Sequence, residues 1–265
     1  MTQNSTVPQP ADVKIVAFDL DDTLAASKSP VQPAMAQALT DLLDQRPVCI
    51  ISGGRFEQFK SQVLENLPSE ANVANLHLMP TCGTRYLKWD GEGFTEVYAH
   101  DLPEADKAAA IESLERHAKE LGYWESDEDP RVKGDRIEDR GSQITFSALG
   151  QRAGVEDKHN WDPGSVKRNA LREAVAADVP NLEVRAGGST SIDITQKGID
   201  KAHGMRELEK QTGIPQANML FLGDRLQPGG NDYPVLEMGI ACIPVEGPDE
   251  TIQHINELVA EFRKA

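Results

Sequence analysis

The stretch Phe18-Asp19-Leu20-Asp21-Asp22-Thr23-Leu24 decides the fold, because it continues directly from the apolar run Val13 to Phe18 (VKIVAF). A short apolar run of this kind predicts a buried strand. In an open parallel sheet the ligand crevice lies at the carboxyl ends of the strands, which is where this acidic turn would stand. The stretch therefore predicts a parallel sheet with a polar site at its edge.

The two ends of the chain alternate short apolar runs with helical patterns. Predicted strands cover residues 13–18, 48–51, 219–222 and 240–244, and predicted helices cover residues 33–43, 56–67, 201–212 and 233–238. Strands and helices in alternation indicate a parallel sheet covered by helices on both faces. We therefore predict an α/β fold with a Rossmann-like three-layer core.

The middle of the chain has a different character. It is more polar, with helical patterns at 104–121 and around 163–177 and an alternating run at 143–147. This mixture is typical of an antiparallel sheet with helices on one face. We predict that residues 1–84 and 185–265 form the core and that residues 85–184 form an inserted α+β cap over its strand ends.

Composition excludes some classes of function. The 265 residues carry a formal net charge of −16, which argues against nucleic acid as a partner. No apolar run approaches the ~18 residues needed to cross a bilayer, so no membrane association is expected. The polar segment Met1 to Asp12 predicts a loose leader and lacks the pattern of a secretory signal, which favours a cytoplasmic protein.

Cysteine usage agrees with a reducing compartment. Cys49, Cys82 and Cys242 lie far apart in the sequence, and two of them fall within apolar runs. This spacing is typical of buried, reduced thiols and not of a disulfide framework or a zinc site.

Asp19 and Asp21 suggest chemistry on a phosphate. Of two carboxylates two residues apart at a strand end, one can attack phosphorus to form an aspartyl-phosphate. The other can protonate the leaving oxygen and later remove a proton from water. The structural alternative is an acidic turn that only caps the following helix.

A second acidic run, from Gly223-Asp224 to Asn231-Asp232, follows the predicted strand at 219–222. Brought beside Asp19, Asp224 would complete an oxygen site of the kind that Mg²⁺ prefers. The cation would screen the repulsion between the attacking carboxylate and the phosphate. The alternative is a polar loop without a ligand.

Two further features offer groups that bind an anion. Ser52-Gly53-Gly54, after the second strand, supplies a hydroxyl and backbone N–H groups at a predicted helix start. Lys201 opens another predicted helix and could reach the crevice as a point charge. Each feature alone is also common as a purely structural one.

Together these segments resemble the haloacid dehalogenase superfamily of phosphohydrolases, whose motifs occur in this order. The resemblance covers the two terminal thirds of the chain. It implies that Asp19 is the nucleophile and Asp21 the acid/base, whose backbone carbonyl also binds Mg²⁺. It further implies that Ser52 and Lys201 bind phosphate, and that Asp224 and Asp232 complete the metal site.

Within that superfamily the chain most resembles the eukaryotic-type phosphomannomutase branch, which carries a large α+β cap. The similar stretches are Phe56-Glu57, Gly187 to Asp193, and Pro228-Gly229-Gly230-Asn231-Asp232. In that family cap arginines and a serine–aspartate pair hold the sugar phosphate. The resemblance gives these places to Arg140, Arg152, Ser191 and Asp193, beside Gly53 and Gly54 in the core.

The chain also departs from that branch at several positions. Asp22 stands where the family usually has glycine, and Gly54 falls near its second-motif serine. Gln151 interrupts a glycine–arginine pair, and Cys82-Gly83 replaces an asparagine–glycine pair. These departures weaken the mutase assignment but leave the phosphoryl-transfer residues intact.

The leading functional hypothesis is therefore a Mg²⁺-dependent phosphatase that acts on a small phosphorylated metabolite, with a sugar phosphate as the favoured class. The first alternative is a phosphomannomutase-type hexose phosphate mutase, and the second is a non-catalytic protein that binds a phosphorylated metabolite. Caps of such enzymes can dimerise, so a homodimer through the cap stays open.

Overall fold

The computed structural model describes residues 9–264 of the chain, so most of the predicted leader lies outside the described residues. The strands are β1 (Ile15–Phe18), β2 (Val48–Ile51), β3 (Leu76–Met79), β4 (Arg85–Trp89), β5 (Phe94–Ala99), β6 (Ile137–Asp139), β7 (Gln143–Ser147), β8 (Leu182–Ala186), β9 (Ser191–Gln196), β10 (Met219–Gly223) and β11 (Ala241–Pro244). The helices are α1 (Pro33–Leu43), α2 (Phe56–Gln62), α3 (Glu104–Glu120), α4 (Val155–Trp161), α5 (Val166–Asp178), α6 (Lys201–Thr212), α7 (Tyr233–Glu237) and α8 (Pro248–Phe262). None of the helices within this described range has the length and apolar character of a bilayer span.

The chain divides into two compact units. The first contains the described residues up to Ala99 and from Asp200 onward, and the second runs from His100 to Ile199. The predicted boundaries at 85 and 184 are corrected by this division, because β4 and β5 extend the sheet of the first unit and β8 and β9 belong to the sheet of the second. The prediction failed here because the edge strand β5 is mostly exposed and shows no continuous apolar run.

The first unit is built on a seven-stranded sheet in the order β11-β10-β1-β2-β3-β4-β5. The strands from β11 to β3 in this order are all parallel, whereas β4 and β5 continue the sheet in antiparallel fashion. The predicted α/β fold class is therefore confirmed, with an antiparallel edge that the sequence patterns did not predict.

Helices cover both faces of this sheet, which explains why β1 is apolar at every position. Val16 and Phe18 pack into a core with residues of α1 and α8. Ile15 and Ala17 point to the opposite face and pack with Met205 of α6 and residues of α7. Because side chains alternate across a strand, only a continuous apolar run satisfies two buried faces.

The register of β1 fixes the position of the acidic turn. Phe18 pairs with Leu222 of β10, and the backbone N–H of Asp19 donates to the carbonyl of Leu222 at 3.0 Å. Asp19 and the residues that follow Leu222 therefore leave the sheet side by side. The first and last parts of the chain meet at one edge of the sheet.

The second unit contains a four-stranded antiparallel sheet in the order β6-β7-β9-β8. Ile144 and Phe146 of β7 lie on one face, in a core shared with Ile192 and Ile194 of β9 and with residues of α3 and α5. The opposite face carries the polar positions of the same strands. This arrangement agrees with the predicted α+β character of the insert.

A buried histidine in the first unit predicts acid sensitivity. His77 is 6% exposed, and its Nδ1 lies 2.7 Å from the hydroxyl of Tyr86. Burial, with a smaller effect of Lys88, lowers the pKa of His77 to about 4. The folded state therefore loses stability as pH falls through 6.5 toward 4, by about 3 kcal/mol if the whole shift is expressed.

His77→Phe should remove this loss, so that the stability difference between variant and wild type changes in favour of the variant as pH falls. Urea unfolding at several pH values measures the difference. Tyr86→Phe is the matched control, because it removes the hydroxyl partner and keeps the titrating ring. Parallel curves for His77→Phe and wild type would contradict the prediction.

Candidate functional site

Three aspartates meet at the carboxyl edge of the seven-stranded sheet. Asp19 follows β1, Asp224 follows β10, and Asp232 precedes α7. One carboxylate oxygen of each lies within 4.8 Å of the others. Asp19 and Asp232 are buried, while Asp224 is half-buried and accepts a hydrogen bond from the hydroxyl of Thr23 at 3.5 Å.

Lys201 supplies positive charge inside this cluster. Its Nζ lies 2.6 Å from Asp19 Oδ1 and 2.5 Å from Asp232 Oδ1, and the residue is only 1% exposed. It occupies the first position of α6, which Asp200 caps by accepting from the backbone N–H of His203 at 2.8 Å. The cap fixes where the helix begins and therefore where the lysine points.

The electrostatics of the cluster reflect an excess of negative charge. Burial raises the pKa of Asp19 to about 7, with Lys201 opposing the rise and Asp232 adding to it. Burial and then the charge of Asp232 also raise the pKa of Asp224. Burial lowers the pKa of Lys201, but the two carboxylates outweigh it and hold the pKa above its ordinary value. Three carboxylates thus share one ammonium group.

Both carboxylate oxygens of Asp232 have hydrogen-bond partners. Its Oδ1 contacts Lys201, and its Oδ2 accepts from the backbone N–H of Arg225 at 3.0 Å. A Cβ on Gly223 would lie 2.5 Å from that same Oδ2, so only glycine at this position leaves room for the carboxylate. The glycine that ends β10 therefore has a packing role in the site.

The carboxylate of Asp21 has a different set of partners. Its Oδ2 accepts from Gln58 Nε2 at 2.8 Å, and its Oδ1 accepts from the backbone N–H of Lys28 at 2.8 Å and from Gln62 Nε2 at 3.3 Å. The sequence interpretation missed both glutamines. Their spacing of four residues on α2 places them on one face of the helix, and this was the signal available.

Ser52 and the two glycines lie at the end of β2. The buried Ser52 hydroxyl accepts from the backbone N–H of Gly54 at 3.2 Å. A Cβ on Gly54 would lie 2.1 Å from Gln58 Oε1. The glycine therefore leaves room for the side chain that holds Asp21. Gly53 is half-buried beside Cys82, whose Sγ would lie 4.0 Å from a Cβ at that position.

The first unit thus brings together the predicted core residues of the site. A buried carboxylate stands beside a lysine, and a second carboxylate in the same turn is fixed by amide donors. Oxygen atoms from Asp19, Asp224 and Asp232 form a set that suits a hard divalent cation, and their surplus charge favours one. Such an arrangement can support metal-assisted phosphoryl transfer.

Residues 114–261 match the family model described as eukaryotic phosphomannomutase, which is more than half of the chain. The chain belongs to the eukaryotic phosphomannomutase family. That family lies within the haloacid dehalogenase superfamily, so the resemblance inferred from the motifs is confirmed.

Curated relatives match this family member over nearly its whole length. A probable phosphomannomutase of Caenorhabditis elegans is 24% identical over 94% of this chain and 96% of its own length. The phosphomannomutase of Saccharomyces cerevisiae is 25% identical over 92% of this chain and 93% of its own length.

Solved structures share the fold at low identity. A haloacid dehalogenase-like hydrolase of Bacteroides thetaiotaomicron has a TM-score of 0.61 at 16% identity and covers 93% of this chain and 99% of its own. A trehalose-6-phosphate phosphatase related protein has a TM-score of 0.57 at 15% identity, with coverage of 95% and 99%. These likenesses support the fold alone.

One of the departures of this family member has a backbone explanation. Asp22 stands where the family usually has glycine, and its φ is 60°. Aspartate is among the few side chains that tolerate this left-handed conformation. Cys82 has a φ of 56° and precedes Gly83 at 83°. A Cβ on Gly83 would lie 2.4 Å from the Cα of Gly204, so the glycine permits close packing against α6.

The predicted substrate-binding residues of the second unit separate into two groups. Ser191 and Asp193 lie on the polar face of the four-stranded sheet, and Arg140 follows β6 with its guanidinium 2.7 Å from Glu138. Arg152 is exposed in the segment after β7, where a Cβ on Gly134 would lie 2.9 Å from its Nε. The substrate-binding role of all four stays a prediction.

Proposed function

We propose that this chain is a hexose phosphate mutase of the phosphomannomutase type, which moves a phosphoryl group between two oxygens of one sugar. The observation that carries the proposal is a buried Asp19, 2.6 Å from Lys201, in a chain that matches phosphomannomutases over 92–94% of its length. The sequence left the mutase open as an alternative, and we now prefer it to a phosphatase.

In the first step a carboxylate oxygen of Asp19 attacks one phosphorus of a hexose bisphosphate, and a hexose monophosphate is the leaving group. The bond between phosphorus and the sugar oxygen breaks, and Asp21 donates a proton to that oxygen. Lys201 and the Ser52 hydroxyl bind the phosphoryl oxygens. Gln58 and Gln62 keep the Asp21 carboxyl oriented for the transfer.

In the second step the free hydroxyl at the other position of a hexose monophosphate attacks the aspartyl-phosphate, which forms the bisphosphate again. Asp21 removes the proton of that hydroxyl, the bond between Asp19 and phosphorus breaks, and the Asp19 carboxylate is restored. A phosphatase would use water in place of the hydroxyl. The two activities thus share every core residue and differ in the acceptor that the site admits.

Asp19, Asp224 and Asp232 would hold Mg²⁺, as would the backbone carbonyl of Asp21. When bound, the cation offsets the negative charge of carboxylates and phosphate in the transition state. The clustered oxygens and the raised pKa values of Asp19 and Asp224 support this assignment, because an added positive charge relieves both.

Mg²⁺ should therefore stabilise the wild-type chain, by about 2.7 kcal/mol at 100 times its dissociation constant. Asp224→Asn should weaken binding roughly 10-fold or more. Because protons compete for Asp19, the affinity should fall as pH drops below about 7. Thermal unfolding with titrated Mg²⁺ measures the stabilisation, the effect of the substitution and the pH dependence. Asp41→Asn on the surface of α1 is the control. Equal Mg²⁺ responses in the two variants would contradict the assignment.

The acceptor experiment tests the mutase. The chain is incubated with mannose 1-phosphate, Mg²⁺ and a catalytic amount of hexose bisphosphate, and the products are followed by phosphorus NMR. The proposal predicts the isomeric hexose phosphate as the main product. Release of inorganic phosphate as the main product would refute the mutase and support the phosphatase.

A phosphatase is the second candidate, favoured by one departure in the inserted unit. Gln151 interrupts the glycine–arginine pair of the family, so Arg152 stands one position further along the chain. A mutase must bind a bisphosphorylated intermediate, so it needs cationic groups at both ends of the sugar, whereas a phosphatase needs them at one. Lower affinity for the bisphosphate than for the monophosphate would favour this candidate.

A further inference from the structure

We infer that Gln143 and Thr145 are positioning residues that orient the carboxylate of Asp193 toward the hydroxyl groups of a polyhydroxylated phosphate ester. The inference rests on the proposed function and on the predicted substrate-binding role of Asp193. Neither Gln143 nor Thr145 belongs to the motifs that indicated the site. All the contacts that support it lie within the second unit.

The polar face of the four-stranded sheet carries a closed hydrogen-bond network. Asp193 Oδ1 accepts from Thr145 Oγ1 at 2.8 Å and from Gln143 Nε2 at 2.9 Å. Gln143 Nε2 also donates to Thr145 Oγ1 at 2.8 Å. The strand register explains the convergence, because Thr145 pairs directly with Asp193 across β7 and β9.

The chemistry of these groups leaves one arrangement. An ionised carboxylate only accepts, so both the amide nitrogen of Gln143 and the hydroxyl of Thr145 must donate to it. With one amide proton on Thr145 Oγ1 and the other on Asp193, the threonine proton is directed to the carboxylate. Both donors therefore hold the same oxygen of Asp193 in place.

The burial of the donors shows that this is a fixed support. Gln143 is 3% exposed and Thr145 is 2% exposed, whereas Asp193 is half-buried. A Cβ on Gly187 would lie 2.5 Å from Asp193 Oδ2, so only a residue without a side chain fits beside that second oxygen. Buried donors behind a partly exposed acceptor are the usual arrangement of a preorganised binding group.

A carboxylate held in this way suits the recognition of vicinal sugar hydroxyls. Hydroxyl groups donate to it, and the fixed oxygen selects their direction. A phosphate ester without hydroxyl groups has no donor for this carboxylate, so its binding should not depend on the fixed position of Asp193. Thr145 and Gln143 should therefore affect sugar phosphates selectively and leave the chemistry at Asp19 unchanged.

The test compares Thr145→Val and Gln143→Leu with wild type on two substrates, a hexose phosphate and p-nitrophenyl phosphate. The KM for the hexose phosphate should rise about 10-fold in each variant, with kcat nearly unchanged. Turnover of p-nitrophenyl phosphate should stay at the wild-type level. Thr145→Ser, which restores a hydroxyl, should recover most of the hexose phosphate affinity.

Ser147→Ala is the matched control. Ser147 lies on the same strand and face and is 1% exposed, but its hydroxyl contacts Gly150 and Thr190. It should leave the hexose phosphate KM unchanged. An equal loss in Ser147→Ala and Thr145→Val, or an equal loss on both substrates, would overturn the inference by reducing it to a stability effect.

Calorimetric binding of the hexose phosphate separates this inference from the proposed function. Binding that weakens in Thr145→Val without any turnover by wild type would refute the mutase and support the positioning role. Normal turnover with unchanged binding in Thr145→Val would refute the positioning role and leave the mutase intact. Absence of binding to wild type would overturn both.

Discussion

Asp19→Asn is expected to abolish phosphoryl transfer and to leave a folded protein. The amide has the shape of the carboxylate but cannot form the phosphorylated intermediate. The loss in kcat should be on the order of 10⁴-fold or more, as expected when a covalent nucleophile is removed. Steady-state assays with the hexose phosphate measure the loss of activity, and circular dichroism measures whether the variant is folded.

The fold should survive because the carboxylate of Asp19 is itself costly to bury. Its pKa is raised from 3.8 to about 7, so Asp19 contributes stability below pH 3.8 that is lost as pH rises toward 7. Asparagine does not titrate. Without Mg²⁺, the wild type should therefore lose stability relative to the variant over this range, and Lys201 keeps Asp232 as a partner in both.

Asp22→Asn is the matched control, since it makes the same chemical change three residues further along. Asp22 is exposed, and its Oδ1 accepts from the backbone N–H of Ser27, which an amide oxygen can also do. Asparagine also tolerates the φ of 60° found there. Its activity should stay within a few-fold of wild type. Comparable turnover in the two variants would rule out Asp19 as the nucleophile.

Four of the five parallel strands could be predicted, because two buried faces demand continuous apolar runs, whereas β3 was missed. The predicted bounds of 33–43, 48–51 and 201–212 coincide with α1, β2 and α6. Local signals define the two helices: α1 begins at Pro33, and Gly213 follows the end of α6. Where such signals were weak, prediction failed.

The antiparallel edge and α4 were missed for physical reasons, whereas α8 was missed despite a clear signal. β5 is exposed at four of its six positions, so it shows no apolar pattern to distinguish it from the insert. α4 has only seven residues and one fully buried side chain, Trp161. α8 carried a clear signal in Gly247-Pro248 followed by two acidic residues, and the prediction overlooked it.

The site was predictable in position but not in its contacts. Asp19, Ser52 and Asp224 follow buried strands, and parallel strand ends must meet at one edge. The partners of Asp21 could not be derived in this way, because Gln58 and Gln62 reach it from a helix whose position depends on packing. Nor does any pattern reveal that Asp232 binds Lys201.

Lys201→Met is expected to cause the largest loss of stability among the substitutions considered. It leaves Asp19 and Asp232 buried without their shared cation, beside the half-buried Asp224. Removing one partner of a buried ion pair typically costs about 3–5 kcal/mol, because the remaining charge is uncompensated. Urea unfolding of the Mg²⁺-free protein measures the change.

Lys210→Met provides the control on the same helix. Lys210 is exposed and contacts Glu207 at 2.5 Å, and surface pairs of this kind contribute roughly 0–1 kcal/mol. Both variants replace a lysine of α6 with the same side chain, so a difference between them reports burial and charge. Equal losses in the two variants would contradict the ion cluster as described.

The double variant Lys201→Met/Asp232→Asn separates charge from packing. If uncompensated carboxylates cause the loss, neutralising one of them should recover part of it, and the effects of the two substitutions should be non-additive. Mg²⁺ should also recover part of the stability of Lys201→Met, since the cation opposes the same carboxylates. A loss of stability that neither Asp232→Asn nor Mg²⁺ reduces would instead come from the lost packing of the lysine methylene groups. That result would contradict the binding of a cation by this cluster.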